Sequence, residues 1–194
     1  GVTFISIQEN INSSTGEGME MLPFYNIFNE WYAAQTSKKI RAVWQSKADN
    51  GKRVSPVVPY GYKKDETDKE KWLIDEPAAE IVKKIYSLCL AGKGPLQIAK
   101  QLEREKVLVP TAYFESVGRK TRNATPLDPY AWHPSAVVGI LENRQYTGCA
   151  VNFKTTTVSY KVHTRIINPV EDYQIIPNMQ EPIINEDIWL RVQE

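Results

Sequence analysis

Residues that carry out covalent chemistry are sparse in this 194-residue chain. The two histidines, His133 and His163, lie in no recognisable nucleophile motif. The two cysteines, Cys89 and Cys149, have no second cysteine or histidine at metal-ligand spacing. The sequence also lacks a GxxxxGK[ST] phosphate-binding loop and an HExxH metal helix. We therefore expect no catalytic residue, no metal site and no cofactor in this chain.

Basic side chains form the clearest chemical pattern, and they concentrate in one segment. From Thr36 to Lys64 there are eight basic residues and one acid, Asp49, a net charge of +7 where the whole chain has +1. Such asymmetry favours a polyanion partner, of which double-stranded DNA is one, over a merely solvated helix face, which is the alternative. The expected phosphate contacts are Lys38, Lys39, Arg41, Lys47, Lys52 and Arg53.

A long helix has to position the first of these cations. Apolar residues recur at helical spacing from about Leu22, and nothing breaks the pattern before Gly51. A helix of about 28 residues is roughly 40 Å long, more than most small domains are wide. Its basic second half must therefore leave whatever its apolar first half packs on.

The residues after this helix predict a linker and then a second domain. Two prolines and a glycine in a basic context indicate an extended linker over residues 51–70. Tyr60, in the stretch PYGY, is a further candidate for DNA contact, because the flanking charges favour that role over simple packing on the domain surface.

Three helices are predicted in the second domain. The first has Asp75 as its N-cap and Gly92 as its C-cap, and the second begins near Pro95. The third begins at Pro134 and ends near Asn143.

Strand-like patterns follow the third helix. They cover residues 149–153, 157–162 and 173–176, and Asn185 caps a last short helix. The segment 108–130 has no period and is expected to be a mobile loop. The predicted fold class is α+β, with a long N-terminal helix plus a winged helix-turn-helix-like DNA-binding domain with a β-hairpin.

The third helix supplies the remaining candidate contacts. In helix-turn-helix proteins the N-terminal residues of the recognition helix enter the major groove. Ser135 is therefore expected to reach a base edge, and Asn143 and Arg144, at the end of the helix, to hold the DNA backbone. The alternative for Ser135 is that it only caps the helix.

Four segments, taken in this order, resemble the large serine recombinases. They are GVTFISIQENINSSTG, LPFYNIFNEWYAAQTSKKIRAVWQSKADNGKR, PYGY and WHPSAVVGILENRQYTG. The resemblance covers essentially the whole chain. It implies the end of a resolvase-type catalytic domain at residues 1–20, its long helix at 21–50, a basic linker at 51–70 and a DNA-binding recombinase domain at 71–194.

The resemblance also implies partners. The long helix would contact a second subunit at its start, through Phe24, Ile27, Phe28 and Trp31, and cross the DNA minor groove at its end. The chain would thus act as a dimer on a recombination or attachment site, and as a tetramer in the synaptic complex of the full-length protein. The parent would be a cytoplasmic site-specific recombinase of a bacterial mobile element or phage.

Catalysis is expected to lie outside this chain. In the family a nucleophilic serine joins a DNA 5′ phosphate, and the resemblance places it upstream of Gly1, with a zinc ribbon downstream of Glu194. This portion would therefore be inactive, and the parent would need no high-energy cofactor because the phosphoserine linkage conserves the bond energy.

Two other classes of function remain open. The chain could be a winged-helix transcription regulator whose long helix is a dimerisation arm, or a protein-interaction module whose basic residues bind something other than nucleic acid. No signal peptide and no apolar run of about eighteen residues occurs, so no membrane contact is expected.

Overall fold

The computed structural model describes residues 2–8, 11–121, 124 and 126–194. The chain divides into two compact units: residues 1–52 with 153–172, here called the arm unit, and residues 53–152 with 173–194, here called the core unit. Helices and two-stranded antiparallel sheets make up both, which confirms the α+β class. No helix in the described part of the chain combines the length and the apolar character needed to cross a membrane.

The arm unit begins with a small antiparallel pair, β1 (Ile5–Ser6) and β2 (Ile11–Asn12). Each of the two strands is only two residues long, and Gly1 lies outside the described residues. A single 3₁₀ turn, Met19–Met21, leads directly into the long helix.

The long helix is α1 (Leu22–Asp49), and its 28 residues confirm the predicted length. Pro23 lies in its first turn, where the missing N–H costs no hydrogen bond. Gly51 ends the helix with a left-handed φ of 67°. Its N–H donates to the carbonyl of Ala48 and that of Lys52 to the carbonyl of Lys47, both at 2.9 Å, so that the last carbonyls are satisfied.

A hairpin completes the arm unit. It pairs β6 (Thr155–Thr157) with β7 (Arg165–Ile167), followed by a 3₁₀ turn at Val170–Asp172. The carboxylate of Glu30 on α1 accepts a hydrogen bond from the Tyr160 hydroxyl at 3.2 Å and forms an ion pair with Lys161. Residues 153–172 therefore belong to the same unit as α1. The sequence-based expectation was that they belong to the domain over residues 71–194.

The core unit contains two further antiparallel pairs and five helices among its described residues. In one pair Tyr62 lies opposite Ile74, and in the other Ala150 lies opposite Ile176. Its elements are β3 (Tyr62–Lys64), β4 (Trp72–Ile74), α2 (Glu76–Leu90), α3 (Pro95–Arg104), α4 (Pro110–Ser116), α5 (Pro134–Leu141), a 3₁₀ turn (Arg144–Thr147), β5 (Ala150–Asn152), β8 (Gln174–Ile176) and α6 (Glu186–Gln193).

Two segments differ from the sequence-based expectation. Residues 52–59 lack regular structure, as expected of a linker, but the chain then enters the core as β3, so residues 51–70 are not a linker throughout. The segment 108–130 contains the helix α4 instead of being a loop along its whole length. Arg122, in the same segment, lies outside the described residues.

Aromatic side chains dominate the interior of the core unit. Tyr62, Tyr86 and Tyr146 are buried in the hydrophobic core, and each hydroxyl donates to a backbone carbonyl at 2.7 to 3.1 Å. Burial raises the pKa of all three tyrosines. The interior therefore combines large apolar area with satisfied polar groups, which specifies one packing arrangement.

Candidate nucleic-acid interface

The cations of α1 are presented on an exposed helix. Lys38, Lys39, Arg41 and Lys47 are all exposed, and none pairs with an acid within the described residues. At about 100° per residue the four side chains leave the helix in four different directions. The cations of the second half of α1 are therefore distributed around the helix and not along one stripe, although Ile40, Val43 and Trp44 are also exposed there.

The apolar residues of α1 behave differently. Phe24, Ile27, Phe28 and Trp31 are spaced so that they share one face, and each is more than half exposed. A row of exposed large apolar side chains is unusual on a protein surface and marks an interaction site.

The last two basic residues of the predicted track differ in their surroundings. Lys52 is exposed just beyond the end of α1. Arg53 instead stacks its guanidinium on Trp72, 3.4 Å from the ring centroid, and donates to the Glu70 carbonyl at 3.1 Å and to the Gln180 side chain. Arg53 therefore anchors the chain within the core unit, and its expected DNA contact stays a prediction.

Tyr60 is likewise a packing residue. It is 5% exposed, and its ring makes edge contacts with Tyr113 at 5.5 Å and Trp132 at 6.4 Å between centroids. Because no face of the ring is open to a base or a phosphate, the structure favours the packing interpretation over the expected DNA contact.

The start of α5 has a different cap from the one expected. His133 is the N-cap: its Nδ1 accepts the Ser135 N–H at 3.3 Å and lies 2.7 Å from the Ser135 hydroxyl. Ser135 is in the first turn and exposed. The alternative that Ser135 is the capping residue is therefore wrong, and its base contact stays a prediction.

Asn143 and Arg144, shortly after the end of α5, already contact other residues of the protein. The Asn143 side chain accepts the Gln145 N–H at 3.3 Å and begins the 3₁₀ turn. Arg144 pairs with Glu186 at 2.7 Å, and its guanidinium lies 5.4 Å from the Trp189 ring centroid. A backbone contact by Arg144 would thus require DNA to compete with a carboxylate.

A basic groove in the core unit was missed as a site by sequence reasoning. It has a volume of about 660 Å³ and carries four cations, Lys63, Lys64, Arg119 and Lys120. The other lining residues are Pro56, Val57, Val58, Thr111, Phe114 and Thr121. The sequence showed both basic pairs, but nothing in it indicated that they meet.

No group of histidine, cysteine, aspartate or glutamate side chains among the described residues is arranged to hold a metal ion.

Comparison with known proteins gives matches to one family model and to solved structures. No curated protein matches the chain. One matching solved structure concerns the sequence requirements of the Listeria innocua prophage attP site, with 16% identity, 80% of this chain and 49% of that chain covered, and a TM-score of 0.48. Another is an LSR–DNA complex, with 17% identity, 80% and 37% coverage, and a TM-score of 0.44. The chain thus spans about half or less of the length of each of these two chains. A family model described as Recombinase matches residues 76–194, more than half of this chain.

Proposed function

Because the chain belongs to the Recombinase family, as its resemblance to the large serine recombinases predicted, we propose that it is the DNA-binding portion of a site-specific serine recombinase. In the full-length protein a serine outside this chain would cut and rejoin DNA through a phosphoserine intermediate, in the cytoplasm. The observation that carries the DNA-binding proposal is the unpaired, exposed basic half of α1.

The arrangement of these cations fits a helix that enters a groove of DNA. A helix lying on one strand would need its cations on one face only. A helix that crosses a groove has phosphates on both sides, and Lys38, Lys39, Arg41 and Lys47 leave α1 in directions that serve both walls. Because these are phosphate contacts, they position the protein without reading the base sequence.

The apolar half of α1 is proposed to contact a second copy of the chain. Phe24, Ile27, Phe28 and Trp31 give a self-complementary face of the kind that a two-fold symmetric dimer buries. Dimers on one DNA site would then pair as tetramers in the synaptic complex of the full-length protein. Sedimentation of the 194-residue chain tests this: a strict monomer at high micromolar concentration would count against it.

Base reading is proposed for the core unit, through a winged helix-turn-helix-like arrangement in which α5 is the recognition helix. The exposure of Ser135 in the first turn of α5 supports this, because that is the part of a recognition helix that meets base edges. The family match favours a recombinase over a winged-helix transcription regulator for the parent protein.

The test is the salt dependence of DNA binding. Fluorescence anisotropy of a labelled 30-base-pair random duplex should show binding by the chain at 50 mM salt and a loss of about 10³ to 10⁵ in affinity by 200 mM, as expected for about six to ten phosphate contacts. The double variant K38Q/K47Q should reduce the slope of log K against log salt by about two.

The matched control is K83Q/K84Q, which removes the same charge from α2. Lys83 and Lys84 are paired with Glu80 and Glu105 on the surface of the core unit, so their loss should leave the slope unchanged. A wild-type chain that binds no DNA at 50 mM salt would refute the proposal.

A further inference from the structure

The basic groove joins two parts of the chain that are far apart in sequence. Lys63 and Lys64 lie at the end of β3, and Arg119 and Lys120 follow α4. The described lining residues include four cations and no acid. Four like charges around one cavity repel each other unless an anion lies between them, so the arrangement indicates an anionic ligand.

Arg119 is held in place before any ligand arrives. Its Nη2 donates to the Val58 carbonyl, and its guanidinium carbon lies 4.0 Å from the centroid of the Phe114 ring. A guanidinium stacked in this way keeps its charge at neutral pH and loses little freedom on binding. Its planar fork suits a phosphate group, which it can bind through two parallel hydrogen bonds.

The rest of the lining suits the sugar-phosphate backbone of DNA. Val57, Val58 and Phe114 supply apolar surface for deoxyribose, and the Thr111 hydroxyl is a donor for a phosphate oxygen. Asparagine, glutamine, aspartate and glutamate, the side chains that read adenine or cytosine edges, are absent from the described lining residues. A backbone contact is therefore favoured over reading of adenine or cytosine.

We propose that the basic groove holds the phosphate backbone of one strand of duplex DNA, as a contact region of the core unit distinct from α1. The inference rests on the proposed DNA-binding function and adds to it a site in the core unit. Arg119 is its fixed contact, and Lys63, Lys64 and Lys120 are its flexible contacts.

Two double variants test the groove in the anisotropy assay with the random 30-base-pair duplex. K63Q/K64Q and R119Q/K120Q should each reduce the salt slope by about two, since each removes two phosphate contacts. K83Q/K84Q, another adjacent lysine pair in the core unit, should leave the slope at its wild-type value.

The single variants R119K and R119Q separate the charge of Arg119 from its geometry. R119K should keep the wild-type slope but bind more weakly, because an ammonium makes no bidentate contact and does not stack as a guanidinium does. R119Q should lose about one unit of slope. Since Arg119 also packs on Phe114, circular dichroism checks the fold, and K63Q/K64Q decides the question if an Arg119 variant misfolds.

The possible results distinguish failure of the groove proposal from failure of the proposed function. If the wild-type chain binds DNA and K38Q/K47Q lowers the slope while both groove variants keep it, the groove proposal is overturned and the proposed function stands. If the wild-type chain binds no DNA, both fail. If the groove variants lose binding to a poly-glutamate probe but not to DNA, the groove is a site for an acidic protein segment and the DNA assignment is overturned.

Discussion

The arm unit exposes large apolar side chains of the kind that the core unit buries. On α1, Ile27 is 64% exposed beside other exposed aromatic and aliphatic side chains, whereas Ile98 on α3 is fully buried in the core unit. α1 has internal backbone hydrogen bonding over its 28 residues, and Glu30 adds contacts with Tyr160 and Lys161 of the hairpin. The short helices of the core unit depend on burial. The arm unit thus leaves large apolar side chains exposed, whereas the core unit buries a cluster of its own.

Because of this contrast, substitutions of apolar residues in the two units should affect different properties of the protein. Changes in the buried interior of the core unit should alter the free energy of unfolding, and changes at exposed residues of α1 should alter association with DNA or a second copy of the chain. Matched substitutions in the two units measure the difference directly.

The largest effect is expected from one isoleucine in each unit. Ile98→Ala should lower the free energy of unfolding by about 2 to 5 kcal/mol, because it removes buried methyl groups and leaves a cavity. Ile27→Ala should change it by no more than about 0.5 kcal/mol, because its side chain is already in water. Urea denaturation of both variants measures the two values, and equal losses would show that α1 is buried in the folded monomer.

High pH should destabilise the core unit. Burial raises the pKa of Tyr62, Tyr86 and Tyr146 above the value of about 10 for an unfolded tyrosine. Their contribution is fully present below about pH 10 and is lost above it, since the unfolded chain then releases protons that the folded chain retains. The loss is about 1.4 kcal/mol per pH unit for each such tyrosine.

Urea denaturation at pH 8 and at pH 11 measures this loss. Tyr86→Phe is the control, because it removes one ionisable hydroxyl from the interior, and its stability should fall less steeply between the two pH values. A decline as steep as that of the wild type would exclude Tyr86 as a source.

Alanine substitution of two glycines with left-handed backbone conformations should give a smaller difference in stability. At Gly148, with φ of 89°, an added Cβ would lie 2.8 Å from the Gln180 carbonyl oxygen, whereas at Gly51, with φ of 67°, it would meet nothing within 4 Å. Gly51→Ala should therefore cost only the backbone strain of about 1 to 2 kcal/mol. Gly148→Ala should cost more, because the backbone must also move. Thermal unfolding of the two variants compares them, and the reverse order would contradict this account of the close contact.

The smallest effects are expected at the start of α5, which has the side-chain cap that α1 lacks. His133→Ala should cost about 1 kcal/mol of stability because it removes the acceptor for the Ser135 N–H. Ser135→Ala should cost less than that. If Ser135 reads a base, its variant should instead change preference at one or two base pairs by about 1 to 3 kcal/mol.

Binding of the Ser135 variant to a panel of single-base variants of the cognate site measures the preference. His133→Ala serves as the control for a change that acts only through stability. An unchanged preference profile for Ser135→Ala would remove α5 from the role of recognition helix.

Much of the helical framework could be predicted from the sequence. The span of α1 followed from apolar periodicity and Gly51, the end of α2 from Gly92, and the starts of α3 and α5 from Pro95 and Pro134. Each of these signals acts within a few residues, because capping and backbone geometry are local properties. The exposed cations of α1 could be predicted for the same reason.

The roles of individual side chains beyond α1 depended on contacts distant in sequence. Arg53 and Tyr60 belong to a basic, proline-containing stretch that predicts exposure, yet Trp72 stacks on Arg53, and Tyr113 and Trp132 surround Tyr60.

The amino-acid sequence by itself determined the family, the long helix and its division into an apolar and a basic half. Only the tertiary structure decided which side chains beyond α1 are held within the protein, Arg53 among them, and it brought Lys63 and Lys64 to the same groove as Arg119 and Lys120. The physical reason is that helix formation depends on neighbours along the chain, whereas burial and charge clustering depend on which distant segments pack together.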